Sequence, residues 1–256
     1  MCGRFTLKQS PASLAQVFHV EPVADLAAEY NIAPTQMVAT VLQNPESEKR
    51  ELKQLHWGLI PSWAKDAAMG AKLINARAET VAEKPAFRSA FKHRRCLVLA
   101  DGFYEWQRQQ GKKQPFYFRL QDGEPFGFAG LWERWRCLRQ PLPPRGSKLR
   151  VADTTGEAGT PANEEIISCT ILTTAANELL QPIHERMPVI LKPQDYDLWL
   201  DSQVQTPQTL QQLLRPYPAS AMIAYPVSTL VNNSRHNSPQ CIIPLSEKNA
   251  PVNQLN

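Results

Sequence analysis

Short β-forming runs, separated by prolines and turns, dominate the hydrophobic pattern of this chain. Met37 to Leu42 and Lys53 to Leu59 read as strands, and Cys96 to Ala100 is a continuous apolar run expected of a buried one. That run leads into Asp101-Gly102-Phe103-Tyr104-Glu105-Trp106. Pro115 to Leu120 and Phe126 to Trp132 read as an antiparallel continuation after a turn at Gly111-Lys112-Lys113. Glu165 to Ala175 is strongly β-forming, Val189 to Leu191 is a short strand, and Ile223 to Val231 a last one. Helices are few. Ser10 at the N-cap and Pro11 at N1 open one, with Leu14, Val17 and Phe18 on one face as far as about His19. A short helix at Ala176 to Leu180 is expected, and further helices at Gln194 to Leu200 and Pro207 to Leu214.

Composition narrows the picture. The chain has 256 residues, 43% hydrophobic, enough for one large domain or two small ones. With Pro 22 against Gly 11, rigid turns are many, as in an irregular β-rich fold. The net charge of +4 is permissive for nucleic acid without being diagnostic. No apolar run reaches membrane-spanning length and no long secretory apolar core opens the chain, so a cytosolic or nuclear-type compartment is expected. Cys2, Cys96, Cys137, Cys169 and Cys241 are scattered, odd in number and never form CxxC, which argues against a disulfide framework and a zinc site. Residues 137–164 are rich in Pro, Gly, Thr and Ser and read as a loop insertion. The segment from about residue 232 is a polar tail in which Cys241-Ile242-Ile243 could dock.

Candidate chemistry begins at Met1-Cys2-Gly3-Arg4-Phe5. Removal of Met1 would leave Cys2 with an α-amine and a thiol on adjacent carbons, titrating near about 8 and 8.5. Such a pair suits an aldehyde: the amine condenses to a Schiff base and the thiol closes a thiazolidine. An incidental second-position cysteine is the competing reading. Glu105 stands among large aromatics at the end of an apolar strand, where desolvation would raise its pKa and suit proton transfer, unless a nearby arginine pairs it. His184 and Arg186 fall on one side of an extended segment by alternation, against the plainer reading of a loop histidine and a surface arginine. Trp57 and Trp63 flank Gly58 and Pro61 either as packing or as a stacking surface for bases. Asn75 to Thr80 reads as a solvated loop or helix start, and the basic cluster Phe87 to Arg95 as a solvated face that could also attract phosphate. No phosphate loop, dinucleotide fingerprint, HExxH or GxSxG occurs.

Nine separated segments, MCGRF, YNIAPTQ, WGLIPSW, NARAET, ADGFYEW, FAGLWE, CTILTTAAN, IHERMP and VSTLVN, resemble in order those of the SOS response-associated peptidase family. The resemblance covers nearly the whole chain. It implies an α+β single domain over residues 1–256, with a bifurcated, barrel-like, mainly antiparallel β-sheet flanked by helices. It implies a sensor and shield of abasic sites in single-stranded DNA at replication forks. Cys2 would form a thiazolidine crosslink that protects the lesion from strand cleavage, through lyase-type Schiff-base chemistry and with a thiol autopeptidase activity and crosslink reversal also in view. By motif, the resemblance implies catalytic roles for Cys2, Asn75, Glu105 and His184. It implies DNA contacts from Arg4, Trp63, Arg77, Trp106, Thr173 and Arg186. No cofactor or metal is expected; the partner is abasic single-stranded DNA, and the protein a monomer without membrane association, cytoplasmic and nucleoid-associated, or nuclear in a eukaryote. Arginines gathered at the site would bind phosphate, favour the neutral amine and lower the thiol's pKa. The alternatives are a thiol autopeptidase, or a non-covalent single-stranded DNA-binding protein in which Cys2 only packs.

Overall fold

The computed structural model describes residues 2–22, 26–44, 47, 49–109, 111–136 and 165–245. The insertion expected at 137–164, Met1 and the end of the tail beyond 245 lie outside the described residues. The strands are β1 (Phe5–Leu7), β2 (Glu29–Ile32), β3 (Met37–Gln43), β4 (Arg50–Trp57), β5 (Asn75–Arg77), β6 (Arg95–Ala100) and β7 (Gly102–Gln109). They continue with β8 (Lys112–Leu120), β9 (Phe126–Arg136), β10 (Glu165–Ala175), β11 (Arg186–Pro188), β12 (Ile190–Leu191) and β13 (Met222–Pro226). The helices are α1 (Pro11–Phe18), α2 (Arg88–His93), α3 (Tyr196–Leu200) and α4 (Pro207–Gln211).

Two sheets result. β4, β3, β6 and β9 pair in antiparallel order, and β10 closes the ring by pairing antiparallel with β9 and parallel with β4. This closed barrel carries β5, β11 and β12 on its margins. The second sheet runs β13-β8-β7-β1-β2 and is antiparallel throughout. The α+β, barrel-like architecture is the expected one.

Both faces of the barrel strands are buried: by register Val41, Leu97, Leu99 and Leu131 share one face and Phe128 and Ile171 the other, all fully buried. Phe5 of β1 joins this core, its ring edge-on to Trp57 at 5.1 Å and to Phe128 at 5.8 Å. Burying an aromatic of this size contributes roughly 2–3 kcal/mol, so Phe5 anchors the N-terminal strand. Polar bonds fix its register: the Thr6 hydroxyl donates to Asp101 Oδ1 at 2.6 Å, and the Lys8 amide donates to Oδ2 at 2.7 Å. Gly102 is needed beside this network, because a Cβ there would lie 2.1 Å from the Tyr117 hydroxyl, which meets Thr6 Oγ1 at 2.8 Å. Gly58, at φ +134°, turns the chain after β4; a Cβ would fall 2.7 Å from the Gly70 carbonyl oxygen.

Helix α1 starts and stops as expected. The Ser13 amide donates to the Ser10 hydroxyl, and His19 closes the helix in the left-handed conformation at φ 53°. Other segments differ from the sequence reading. Asn75–Arg77 is a strand, paired parallel to β10, where a loop or helix start was expected. A short polar run gains strand geometry here only because β10 offers it an edge. Residues 178–183 are turns, with no helix at Ala176 to Leu180. Asn177 takes over instead, its carbonyl and side-chain oxygens both accepting from the Leu180 amide. β13 stops at Pro226, and the Ser228 hydroxyl caps a 3-10 turn at Thr229–Asn232.

Within the basic cluster before β6, Arg88, Lys92 and His93 are exposed as a solvated face would have them, but Arg95 is not. Arg95 is 3% exposed and donates to the carbonyls of Trp199, Phe91, Lys92, Asp201 and Val204. Burial lowers its pKa to about 10. Its five acceptors tie α2 to α3 and the loop after it, a structural use of this arginine. The tail also packs: Cys241 is fully buried with Tyr104, Tyr117, Tyr225, Val227 and Val231.

Candidate functional site

Alternation along β7 builds one wall of the site. Phe103 and Glu105 project toward the main core, where Phe103 stacks on Phe118 at 5.1 Å. Tyr104 and Trp106 project the other way, into the cluster that holds Val231 and Cys241. Glu105 therefore has to be buried, and is 3% exposed. The next strand over is β1, and the Tyr104 amide donates to the Arg4 carbonyl, which brings residues 2–4 alongside Glu105.

The opposite wall is β5. The Trp57 indole and the Ile171 amide both donate to the Ile74 carbonyl, at 2.9 and 3.1 Å, which fixes the residue before Asn75. Asn75 Nδ2 then donates to the Cys2 carbonyl at 2.8 Å. Its Oδ1 is buried with no hydrogen-bond partner among the described residues, so it can still accept from a group entering the site.

Cys2 is fully buried, its Sγ 3.8 Å from the Arg4 carbonyl oxygen. Burial raises the thiol pKa far above its ordinary value, and the charge of Glu105 raises it further. The expected lowering by arginines is therefore not what the site does: desolvation dominates, and the charge of Glu105 adds to the rise. Burial also raises the pKa of Glu105, with His184 partly opposing. Cys2, Asn75, Glu105 and His184, four residues expected at the site, thus come together from the segment before β1, from β5, from β7 and from the segment before β11.

His184 and Arg186 do not share an extended face as alternation suggested. His184 sits in the segment before β11 and Arg186 opens the strand, and the Arg186 amide donates to His184 Nδ1 at 3.0 Å.

The arginines differ in what they hold. Arg4 donates through Nη1 to Asn31 Oδ1 at 2.8 Å and to the Val231 carbonyl at 2.6 Å, with its pKa lowered by burial. The Asn31 amide donates in turn to the carbonyls of Val231, Asn233 and His236. Arg186 binds both carboxylate oxygens of Glu79, at 2.6 and 2.9 Å, and the Thr173 carbonyl at 2.6 Å. Thr173 itself is fully buried. Arg77 and Trp63 are exposed, Trp63 by 58%. The Trp106 indole donates to Asn232 Oδ1 at 2.7 Å.

Two clefts border the neighbours of Cys2. One, of about 1010 Å³, is lined by Gly3, Arg4, Glu105, Trp106, Lys113 and His184, with Arg108 also on its wall. The other, of about 480 Å³, is lined by Trp63, Asn75, Arg77, Thr80, Lys84 and Phe87 among others. Asn75 belongs to the second and bonds Cys2, whose neighbour Gly3 belongs to the first. Arg108, Lys113 and Lys84 were not singled out from sequence; the turn Gly111-Lys112-Lys113 gave no hint that it borders a cleft. The described residues contain no group of three His, Cys, Asp or Glu side chains able to hold a metal, and no helix long and apolar enough to cross a membrane. Cys2, Cys96, Cys169 and Cys241 are free thiols.

Residues 1–234 match the sequence profile of the family described as SOS response associated peptidase (SRAP). The chain belongs to this family. It is 41% identical over 246 residues to abasic site processing protein YoqW of Bacillus subtilis, covering 94% of this chain and 99% of that protein. It is 35% identical over 235 residues to abasic site processing protein HMCES of Xenopus tropicalis, covering 82% of this chain and 63% of that longer protein. Among solved structures, an X-ray structure of a protein from Bacteroides thetaiotaomicron superposes with TM-score 0.78 at 24% identity, over 96% of this chain and 100% of the other. At that identity the likeness speaks to the fold alone. SRAP membership gives the order of the nine segments one explanation.

Proposed function

We propose that this protein processes abasic sites in single-stranded DNA by covalent capture through Cys2, after loss of Met1. The observation that carries this reading is the convergence on Cys2 of an amide donor, Asn75, and a carboxyl group of raised pKa, Glu105. The names of the relatives supply the substrate class.

An abasic sugar is mostly ring-closed, so its aldehyde is scarce. Glu105, whose pKa burial raises, gives a proton to the ring oxygen as the C1 hydroxyl loses one, and the ring opens to the aldehyde; such general acid–base assistance contributes roughly 10²–10⁴-fold. The neutral α-amine of Cys2 adds to C1, and loss of water, with a proton supplied by Glu105 or His184, leaves a C=N bond. The thiol then adds across that bond, sulfur to C1 and its proton to nitrogen, closing the thiazolidine. The sum is aldehyde plus aminothiol giving thiazolidine and one water. Trapping by sulfur diverts the Schiff base from β-elimination, which would break the strand. Asn75 holds the Cys2 carbonyl, and with it the amine, in line. A thiol of raised pKa suits this sequence, since it keeps its proton until the imine has formed.

The flanking strand would run through the two clefts, with Trp63 and Arg77 on one side of the lesion and Trp106, Arg4, Arg108 and Lys113 on the other. Stacking on exposed aromatics and phosphate contact by cations supply affinity without sequence preference.

The test is incubation of the purified protein with an oligonucleotide bearing one abasic site, followed by denaturing electrophoresis and intact mass analysis. A conjugate of protein plus oligonucleotide minus one water, absent with Cys2→Ala, is expected from protein lacking Met1. Reversible, salt-sensitive binding with no conjugate would replace this reading with non-covalent binding. Slow self-removal of a leader with no conjugate would replace it with an autopeptidase.

A further inference from the structure

Glu79 has no part in the chemistry just described, yet it connects the segments that carry two of its residues. It lies four positions after Asn75, at the end of the chain leaving β5. Arg186 lies two positions after His184, at the start of β11. β5 and β11 flank β10 on opposite sides, in register at Thr173 with Arg77 and Pro188. The Glu79–Arg186 ion pair passes over β10 between them. It is bidentate, and Arg186 Nη2 also donates to the Thr173 carbonyl at 2.6 Å, an oxygen that accepts from the Ala78 amide at 2.9 Å.

Two features separate this pair from an ordinary surface contact. Fork-to-fork geometry fixes orientation as well as distance, and the Arg186 side chain is only 13% exposed, though Glu79 is 51% exposed. What it fixes is the residue pair 184–186. Because the Arg186 amide donates to His184 Nδ1, that nitrogen must be an acceptor. A neutral imidazole with Nδ1 as acceptor carries its proton on Nε2.

We propose that Glu79 is a positioning residue: by clamping Arg186 across β10 it holds His184 in the Nε2–H tautomer that serves proton transfer at Cys2. The proposal rests on the reading of this site as a capture centre. It assigns Arg186 to bracing, because its guanidinium is turned to Glu79 and Thr173 and its charge is matched by a carboxylate.

The experiment compares the full-length wild-type protein with Glu79→Ala and Glu79→Gln. Three quantities are measured: the rate of conjugate formation with an abasic oligonucleotide, the affinity for the same strand without the lesion, and the 15N shifts of the His184 ring, assigned with His184→Gln. Glu79→Ala is expected to slow conjugation by about 10- to 100-fold, the usual cost of a misplaced reacting group. Affinity for the intact strand stays unchanged, and the dominance of the Nε2–H form is lost. Glu79→Gln, which keeps one hydrogen bond to the guanidinium, restores part of both. A wild-type His184 protonated on Nδ1 when neutral overturns the proposal. So does tighter intact-strand binding by Glu79→Ala with an unchanged conjugation rate, which would mean that Glu79 merely occupies a phosphate-binding arginine. If the wild type forms no conjugate, the capture reading fails by itself, and the ring shifts still decide whether Glu79 sets the tautomer.

Discussion

The side-chain amide of Asn75 donates to the backbone carbonyl of Cys2 at 2.8 Å, joining residues 73 positions apart. The bond orients backbone, not the thiol, so its effect should fall on the amine step. Asn75→Asp replaces the donor with an acceptor facing a carbonyl oxygen. We expect it to slow conjugate formation by about 10- to 100-fold, with the affinity for an intact single strand unaltered. Single-turnover kinetics beside a binding isotherm would check this; equal losses in both would move Asn75 from orientation to strand contact.

Glu105 couples the chemistry to stability. Burial holds its folded-state pKa above the unfolded value of about 4.3. The native state thus binds this proton more tightly than the unfolded chain does. Its stabilising contribution is fully present below about pH 4.3 and is lost as pH rises through the folded-state value. Glu105→Gln has no such proton to lose. Its Tm relative to wild type should increase from pH 4 to pH 7 while its conjugation rate at neutral pH drops by roughly 10²–10⁴-fold. A Tm difference independent of pH would show that the buried carboxyl carries no such penalty.

Arg77 is exposed on the smaller cleft beside Trp63. If it meets one phosphate, Arg77→Ala should flatten the slope of log affinity against log salt by about 0.7 for a single strand. Trp63→Ala should weaken binding by about 1–3 kcal/mol while leaving that slope alone. Titrations at four or five salt concentrations separate the two; an identical slope for Arg77→Ala would mean no phosphate contact there.

Arg95 supplies the opposite case. With five backbone carbonyls as acceptors and 3% exposure, Arg95→Ala leaves several buried oxygens unpaired. Denaturant unfolding should show a loss of about 3–5 kcal/mol. The salt dependence of strand binding, measured at low temperature where the variant remains folded, should not change. A flattened slope would restore Arg95 to the surface reading.

Much of the architecture was legible because hydrophobic period and turn chemistry are local. β10 runs from Glu165 to Ala175 as the β-forming residues indicate, and α1 begins at the Ser10-Pro11 cap. Errors fell where a partner decides. Asn75–Arg77 is too short and polar to declare itself a strand, and becomes one on the edge of β10. Arg95 reads as one cation among several until the carbonyls of α2, α3 and the loop after α3 surround it.

The candidate site divides in the same way. The amino-acid sequence by itself determined the reactive inventory: a cysteine next to the initiator, a glutamate set in an apolar aromatic strand, a histidine two residues before an arginine. Those are properties of side chains and of covalent order. Tertiary structure alone decided that β5, β7 and the segment before β1 bring Asn75, Glu105 and Cys2 to one point, that the thiol's pKa goes up instead of down, and that Arg186 faces Glu79. Desolvation and charge pairing depend on what surrounds a group in space, and those neighbours come from distant parts of the chain.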